Sequence, residues 1–416
     1  MTPTKLSQSF RQSRLMQLVG QLVDHPMFFS FYFPTLMIAI GVGVLSPIVP
    51  LFVQELGGSY GMVGLVLAAP LLGNLLADLP AGLLLRWWGH RRSMVLGMLL
   101  SVVMTVLCYW VQGIGQAFWL RLGSGIGTAV YSVARHAYVT DRIRTGSRGR
   151  AIAAFGGVNR LGRFVGPMLG GAIGAAFGLR ATFLVFGLLG GFSIIAVIMT
   201  AVPVTQGPTK IPDRIRAPYS MLELVRQRIK LLLPGGVGQL FAQMIRSGRT
   251  AIIPLYAADV VGLSVDSIGW LLGITAFVEM TLFYPAGWIM DHWGRKFAIV
   301  PSFLIQAVAM ALVPLSSTFV TLLLCVSAIG AGNGLSSGAM MTLGADLSPR
   351  SGRGEFLGIW RFIGDIGGSG GPYLVGQVAD ALALPAAALV MAAAGLAAAG
   401  IFALLLPETN KMRETA

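Results

Sequence analysis

Ten ionisable side chains stand inside otherwise apolar runs of this sequence: Asp78, Arg121, Arg135, Arg160, Arg163, Arg246, Arg249, Glu279, Arg361 and Asp365. A charge at the centre of a bilayer-spanning helix costs about 2.5–3.5 kcal/mol on insertion scales, so such residues mark pathways, relays and ligand sites. The chemistry open to them is proton and ion exchange. Burial disfavours the charged form of a carboxylate, and a neighbouring guanidinium restores it. An acid whose arginine is drawn away therefore takes up a proton, which ties protonation to movement. Glu279 is the first candidate for that role, with Asp78 and Asp365 next. A static buried ion pair that only fixes packing is the alternative. No nucleophile and base combination, metal-ligand cluster or phosphate loop accompanies these residues, so an enzyme is not expected, nor a metal or organic cofactor.

The elements that must position these side chains are membrane helices. The chain has 416 residues, 55% of them hydrophobic and 11% charged, with a mean hydropathy of +0.76, outside the range of soluble domains. A helix needs about 20 apolar residues to cross the hydrocarbon core. Twelve runs fit: spans 1 to 12 at 28–53, 61–85, 93–112, 117–140, 151–177, 181–203, 231–258, 267–290, 297–316, 319–345, 355–379 and 385–406. Residues 1–27 form an N-terminal segment without a cleavable signal pattern, 204–230 a basic linker between two six-span halves (28–203 and 231–406), and 407–416 a tail.

The net charge of +14 is a topology signal rather than a nucleic-acid footprint. With both termini inside, most Lys and Arg fall in cytoplasmic segments and only Arg180 falls in an outer loop, which sets the orientation. Cys108 and Cys325 both lie within spans and offer neither a disulfide framework nor metal spacing.

The halves repeat each other. At an offset of 205, Pro80-Ala81-Gly82 returns as Pro285-Ala286-Gly287, Trp88-Gly89 as Trp293-Gly294, Asp141 as Asp346, Arg148-Gly149 as Arg353-Gly354 and Gly166-Pro167 as Gly371-Pro372. Two six-span units in the same orientation form parallel bundles related by an axis along the membrane normal.

Three motifs sharpen the reading. In span 5, Gly162, Gly166, Pro167, Gly170 and Gly171 are spaced for close helix approach, with a bend at the proline. Between spans 8 and 9, Gly287, Asp291, Gly294, Arg295 and Lys296 form a tight charged turn. The same turn between spans 2 and 3 has Gly82, Gly89, Arg91 and Arg92, with Arg86 where the acid stands in the other half; Asp141 or Asp346 is then the acid available to latch it. In span 4, Arg121 is followed by Gly123, Gly125 and Gly127. These patterns resemble the proton-coupled drug antiporters with twelve spans in the major facilitator superfamily, over nearly the whole chain.

The resemblance implies an all-α fold of two six-helix bundles around a central cavity, with spans 3, 6, 9 and 12 on the periphery, and all ten charges lie on other spans. It implies that Arg121 takes part in proton coupling and that the two charged turns act as conformational switches. It packs span 5 against span 8 and span 2 against span 11, so Glu279 is expected to pair with Arg160 or Arg163, and Asp78 with Arg361. Arg160, Arg163, Arg246, Arg249, Arg361, Asn74 and Asn159 are expected to line the cavity. The expected function is export of a small amphipathic compound in exchange for protons, by a monomer at a bacterial-type inner membrane. Seven arginines against three acids favour an alternative, an anionic or lipid-like substrate. A membrane sensor or assembly partner without transport is the reading from another class.

Overall fold

The structure is a computed structural model that describes residues 28–142, 148–201, 221–336, 338–349 and 352–409. The described residues are helical nearly throughout, with no strand among them. Span 1 is the helix Phe33–Glu55, entered through a π-helical turn, Phe28–Tyr32. Spans 2 and 3 share one helical run, Tyr60–Leu107, interrupted at Gly89, whose φ of 71° is one that only glycine adopts readily. Spans 4, 5 and 6 are Ile114–Arg142, Arg148–Phe177 and Ala181–Thr200. Span 7 is Met221–Asp259, so ten residues assigned to the linker extend this helix; Glu, Gln, Arg, Leu and Lys dominate them, all good helix formers. The rest of the linker, the N-terminal segment and the end of the tail lie outside the described residues.

Spans 8 and 10 depart from single helices. Span 8 is Val265–Thr281 followed by Phe283–His292. Span 10 is Phe319–Leu335 followed by Ala339–Leu347, with Gly338 left-handed at φ 82°. The span expected at 319–345 remains one apolar stretch, Phe319–Leu347, with this break inside it. The cause of the break is local, since Gly332, Asn333, Gly334, Ser336 and Gly338 crowd poor helix formers into two turns. Span 9 is Arg295–Leu312, span 11 is Arg353–Leu382 and span 12 is Leu384–Leu404.

Eight helical segments are long and apolar enough to cross a membrane by composition alone. The exceptions are spans 4, 5, 7 and 11, the helices that carry all seven arginines inside the spans and Asp365. Their polarity is tolerable because they turn it toward the molecule's interior.

Each half is a bundle of its own. Span 1 packs on spans 5 and 6 in the first half, span 7 on spans 11 and 12 in the second, and the halves meet where span 2 crosses span 11 and span 5 crosses span 8. Small residues make these approaches possible. A Cβ at Gly166 would lie 2.5 Å from the Gly43 Cα and one at Gly170 2.1 Å from the Val44 carbonyl oxygen, both on span 1. Gly171 faces the other half, where a Cβ would meet the Gly269 Cα at 2.8 Å. Thus span 5 is approached from two sides, by span 1 within its own half and by span 8 across the boundary. The bundle has a basic end, with the turns at 86–92 and 291–296, and an acidic end, with Glu55, Asp259, Asp266 and Asp380.

Candidate functional site

A cavity of about 660 Å³ lies between the halves. Val42, Leu67, Leu71, Ile253, Leu272 and Val326 supply apolar wall, and Arg160, Arg163, Arg246, Arg249, Glu279 and Asp365 supply charge. An amphipathic guest fits such a lining.

Glu279 sits one residue pair before the break in span 8, and Arg249 of span 7 donates from Nη2 to its Oε2 at 2.9 Å. Both side chains are 17% exposed, so the pair is weakly screened. The expected pairing of Glu279 with Arg160 or Arg163 is therefore corrected: the partner belongs to the same half. The reason is rotational, since spans 7 and 8 turn these two residues toward each other, while Arg160 lays its guanidinium 3.6 Å from the centre of the Phe283 ring. That stack still crosses the boundary between halves. Arg160, Arg163 and Arg246 all feel the Glu279 carboxylate electrostatically, so four guanidiniums share one acid.

Arg246 depends on the break in span 10. Its Nη2 donates to the Ser336 carbonyl at 3.1 Å and to the Ser336 hydroxyl, capping the C-terminal end of Phe319–Leu335. A helix end leaves carbonyls unpaired and carries partial negative charge, so a cation is at home there. The Arg246 Nε is nonetheless buried without a hydrogen-bond partner, as is the Asn333 Oδ1, and both residues line the cavity. Sequence reasoning missed this use of the Gly-Asn-Gly cluster, whose composition was the available signal.

Toward the basic end, Arg361 of span 11 bridges two acids. Its Nη2 lies 3.2 Å from Asp78 of span 2, across the boundary, and its Nε lies 3.7 Å from Asp365 on its own helix. Arg361 is 61% exposed, so the bridge is one that water can replace. Asn74 and Asn159 are half-buried and stand outside the residues lining the cavity, the Asn74 Oδ1 without a partner. Arg121 also lies away from the lining, on span 4, with its Nε buried and unpartnered.

The two charged turns differ. Arg295 is 4% exposed and pairs with Asp346 at 3.0 Å and Asp291 at 3.7 Å. Glu408, just past span 12, accepts from the backbone N–H of Arg295 at 2.9 Å and of Lys296 at 3.0 Å, capping span 9, and Lys296 donates to the Ala403 carbonyl at 2.7 Å. Glu408 was not anticipated; Pro407-Glu408-Thr409, directly after the last apolar run, was the signal. In the first half Arg86 and Arg92 are exposed and Arg91 donates to the Ile198 carbonyl. A Cβ at Gly82 or Gly287 would meet nothing within 4 Å, so neither glycine is there for close packing. The side chain of Asp141 lies outside the described residues.

At the acidic end the halves are latched together. Asp259, ending span 7, accepts from Gln54 Nε2 at 2.6 Å and from the Tyr60 hydroxyl at 2.9 Å. Asp380 of span 11 accepts from Ser59 Oγ at 2.7 Å and the Gly61 N–H at 2.9 Å, capping the first turn of span 2 from the opposite half. Both acids stand one residue beyond the span limits read from the sequence, where an acid is inexpensive and carries no signal of its own. Each exposed hydrogen bond contributes about 0.5–1.5 kcal/mol. Replacing both by Ala is expected to shift the closed-to-open ratio at this end by roughly thirty-fold, about 2 kcal/mol, read as a longer spin-label distance between spans 2 and 11.

A cavity between two six-span bundles, shut at one end by cross-half contacts, defines a membrane transporter. The Major Facilitator Superfamily profile matches residues 31–241 and 235–416, and the chain belongs to that family. The chain is 26% identical over 374 residues to multidrug resistance protein MdtH of Escherichia coli, covering 84% of this chain and 87% of that one. Among solved structures, a bacterial homologue of the human lysosomal transporter Spinster, inward-facing and unoccupied, superposes with a TM-score of 0.73 at 16% identity, over 92% of this chain and 97% of the other. A D-xylose–proton symporter superposes with a TM-score of 0.72 at 17% identity, over 91% and 97%. The twelve-span, two-bundle fold read from the sequence is the fold of these structures.

Proposed function

We propose that this protein exports a small amphipathic compound in exchange for protons, by alternating access, with its basic end and both termini in the cytoplasm of a bacterial-type cell. The observation that carries this reading is the Arg249–Glu279 pair on the wall of the cavity. When Arg249 is held against Glu279 the acid stays ionised; when the cavity rearranges and the pair parts, Glu279 takes up a proton. The proton and a cationic or polar substrate group compete for one carboxylate, which is what exchange requires. The relation to MdtH supports drug-like substrates for this chain. Asp365 and Asp78, linked by Arg361 across the boundary, report the same movement at the basic end.

One observation favours a second reading. Four guanidiniums share Glu279, an excess suited to an anionic or lipid-like substrate. An anion that drew Arg249 away would leave Glu279 free to bind a proton. Anion and proton would then strengthen each other's binding, and that reciprocity makes the coupling co-transport rather than exchange.

Inside-out vesicles energised to an acidic lumen and offered cationic, neutral and anionic amphiphiles of matched size separate the two. The first reading expects cationic or neutral compounds to accumulate and to be lost when the pH gradient is dissipated. Efflux of preloaded anion together with protons supports the second. Movement of none of them contradicts both.

A further inference from the structure

The basic turn between spans 2 and 3 borders a second cavity, of about 700 Å³, separate from the one between the halves. His90, Arg91 and Arg92 line its polar end, with Trp88 beside them, and Leu96 and Ile198 line its apolar part; among the described residues, none lining it is acidic. The apolar part continues along the outside of the bundle. Leu96, Leu99 and Val103 of span 3 and Ile195 and Ile198 of span 6 are all more than a third exposed, as membrane-facing side chains are. A cationic rim at the membrane surface thus opens onto two apolar helices running into the bilayer, with an exposed tryptophan at the junction, where such rings settle.

In the other half the equivalent place holds a carboxylate of the chain. There the Glu408 carboxylate accepts from the backbone N–H of Arg295 and Lys296, the first residues after Gly294, while Asp291 and Asp346 hold the Arg295 side chain. At the repeat offset Gly294 corresponds to Gly89, and Arg295 and Lys296 to His90 and Arg91. After spans 6 and 12, which end at Thr200 and Leu404, Pro407-Glu408-Thr409 answers Pro203-Val204-Thr205, so Glu408 corresponds to Val204 while Asp291 corresponds to Arg86: an acid becomes a valine in one place and a cation in the other. The turn has kept its cations and exchanged those two carboxylates.

We infer that this cavity is a binding site for an anionic phospholipid of the leaflet at the basic end. The phosphate stands where Glu408 stands in the second half, held by Arg91 and Arg92, and one acyl chain runs along Leu96 and Ile198. A basic pocket continuous with lipid-facing helices selects a charged headgroup bearing a tail over a soluble anion.

The test uses the full-length protein purified with phosphatidylglycerol and phosphatidylcholine in equal amounts, scored by native mass spectrometry for retained lipid. Preferential retention of phosphatidylglycerol is expected, with loss of about thirty-fold in affinity in the Arg91→Gln/Arg92→Gln double variant, at about 1 kcal/mol per cation. A photo-crosslinking phosphatidylglycerol should label peptides of spans 3 and 6 in the unmutated protein, a measurement independent of how the variant folds. Equal retention of the two lipids, undiminished phosphatidylglycerol binding by a monodisperse double variant, or labelling confined to other spans would overturn the inference. So would displacement of the lipid by glycerol phosphate, which would make the ligand a soluble phosphate.

Discussion

Replacing Glu279 with Gln is expected to reduce proton-coupled transport to background while the protein still inserts. The change removes the carboxylate that Arg160, Arg163, Arg246 and Arg249 share and leaves Arg249 facing a neutral amide at the 2.9 Å position. Breaking one side of a buried pair costs about 3 kcal/mol, because the remaining charge loses its partner. A fall in thermal stability alone would therefore not distinguish a coupling residue from a packing residue. The double variant Glu279→Gln/Arg249→Gln does: it removes both charges, so most of the stability should return. If coupling returned with it, Glu279 would be a structural ion-pair member and the proton site would lie elsewhere. The account expects stability without coupling. Transport and proton movement in reconstituted vesicles, set beside a melting curve for each variant, decide the matter.

The second large effect concerns two glycines whose added side chains meet the same kind of obstacle in different places. A Cβ at Gly125 would stand 2.1 Å from the Pro70 carbonyl oxygen, within the first half; a Cβ at Gly64 would stand 2.2 Å from the Pro372 carbonyl oxygen, across the boundary. Neither clash yields to a side-chain rotation, because the obstacle is backbone. Relief at Gly125 means prying span 4 from span 2, so Gly125→Val is expected to lower yield and melting temperature severely, beyond the ~1–3 kcal/mol usual for overpacking. Relief at Gly64 needs only that the halves swing apart at the acidic end. Gly64→Val should keep a near-native melting curve yet lose the closed state, seen as failure of a cysteine pair on spans 2 and 11 to crosslink there. Gly376, whose Cβ would lie 2.3 Å from the Tyr60 carbonyl oxygen, should behave as Gly64 does. Equal damage from Gly64→Val and Gly125→Val would mean that the boundary between halves is as rigid as the bundles, contrary to alternating access.

The spans, the repeat and the placement of charge were legible because each rests on residue type along the chain. Which arginine meets Glu279 was not, because a helix rotated by one position exchanges neighbours. Span 7 presents Arg249, whereas the fold-level pairing of spans 5 and 8 suggested Arg160 or Arg163. The interruption of span 10 was visible as Gly332-Asn333-Gly334 and yet easy to read as small-residue packing, which the same letters also serve. Asp259 and Asp380 escaped because they lie at the ends of spans, where an acid is cheap and unremarked until a partner from the other half is seen to donate to it. Glu408 escaped for the same reason, its meaning resting on a turn more than a hundred residues earlier in the chain. Residue spacing constrains contacts within a helix, while contacts between helices depend on rotation and on where a helix stops.

The measurement that tests the account most directly is the direction of proton movement during a single substrate's transport. Inside-out vesicles containing the protein are acidified within, and a cationic amphiphile is added outside while lumenal pH and substrate are followed together. The account predicts that the lumen becomes more alkaline as substrate enters, and that neither happens with Glu279→Gln. Substrate entry with no change in pH, or protons moving in the same direction as substrate, would contradict it.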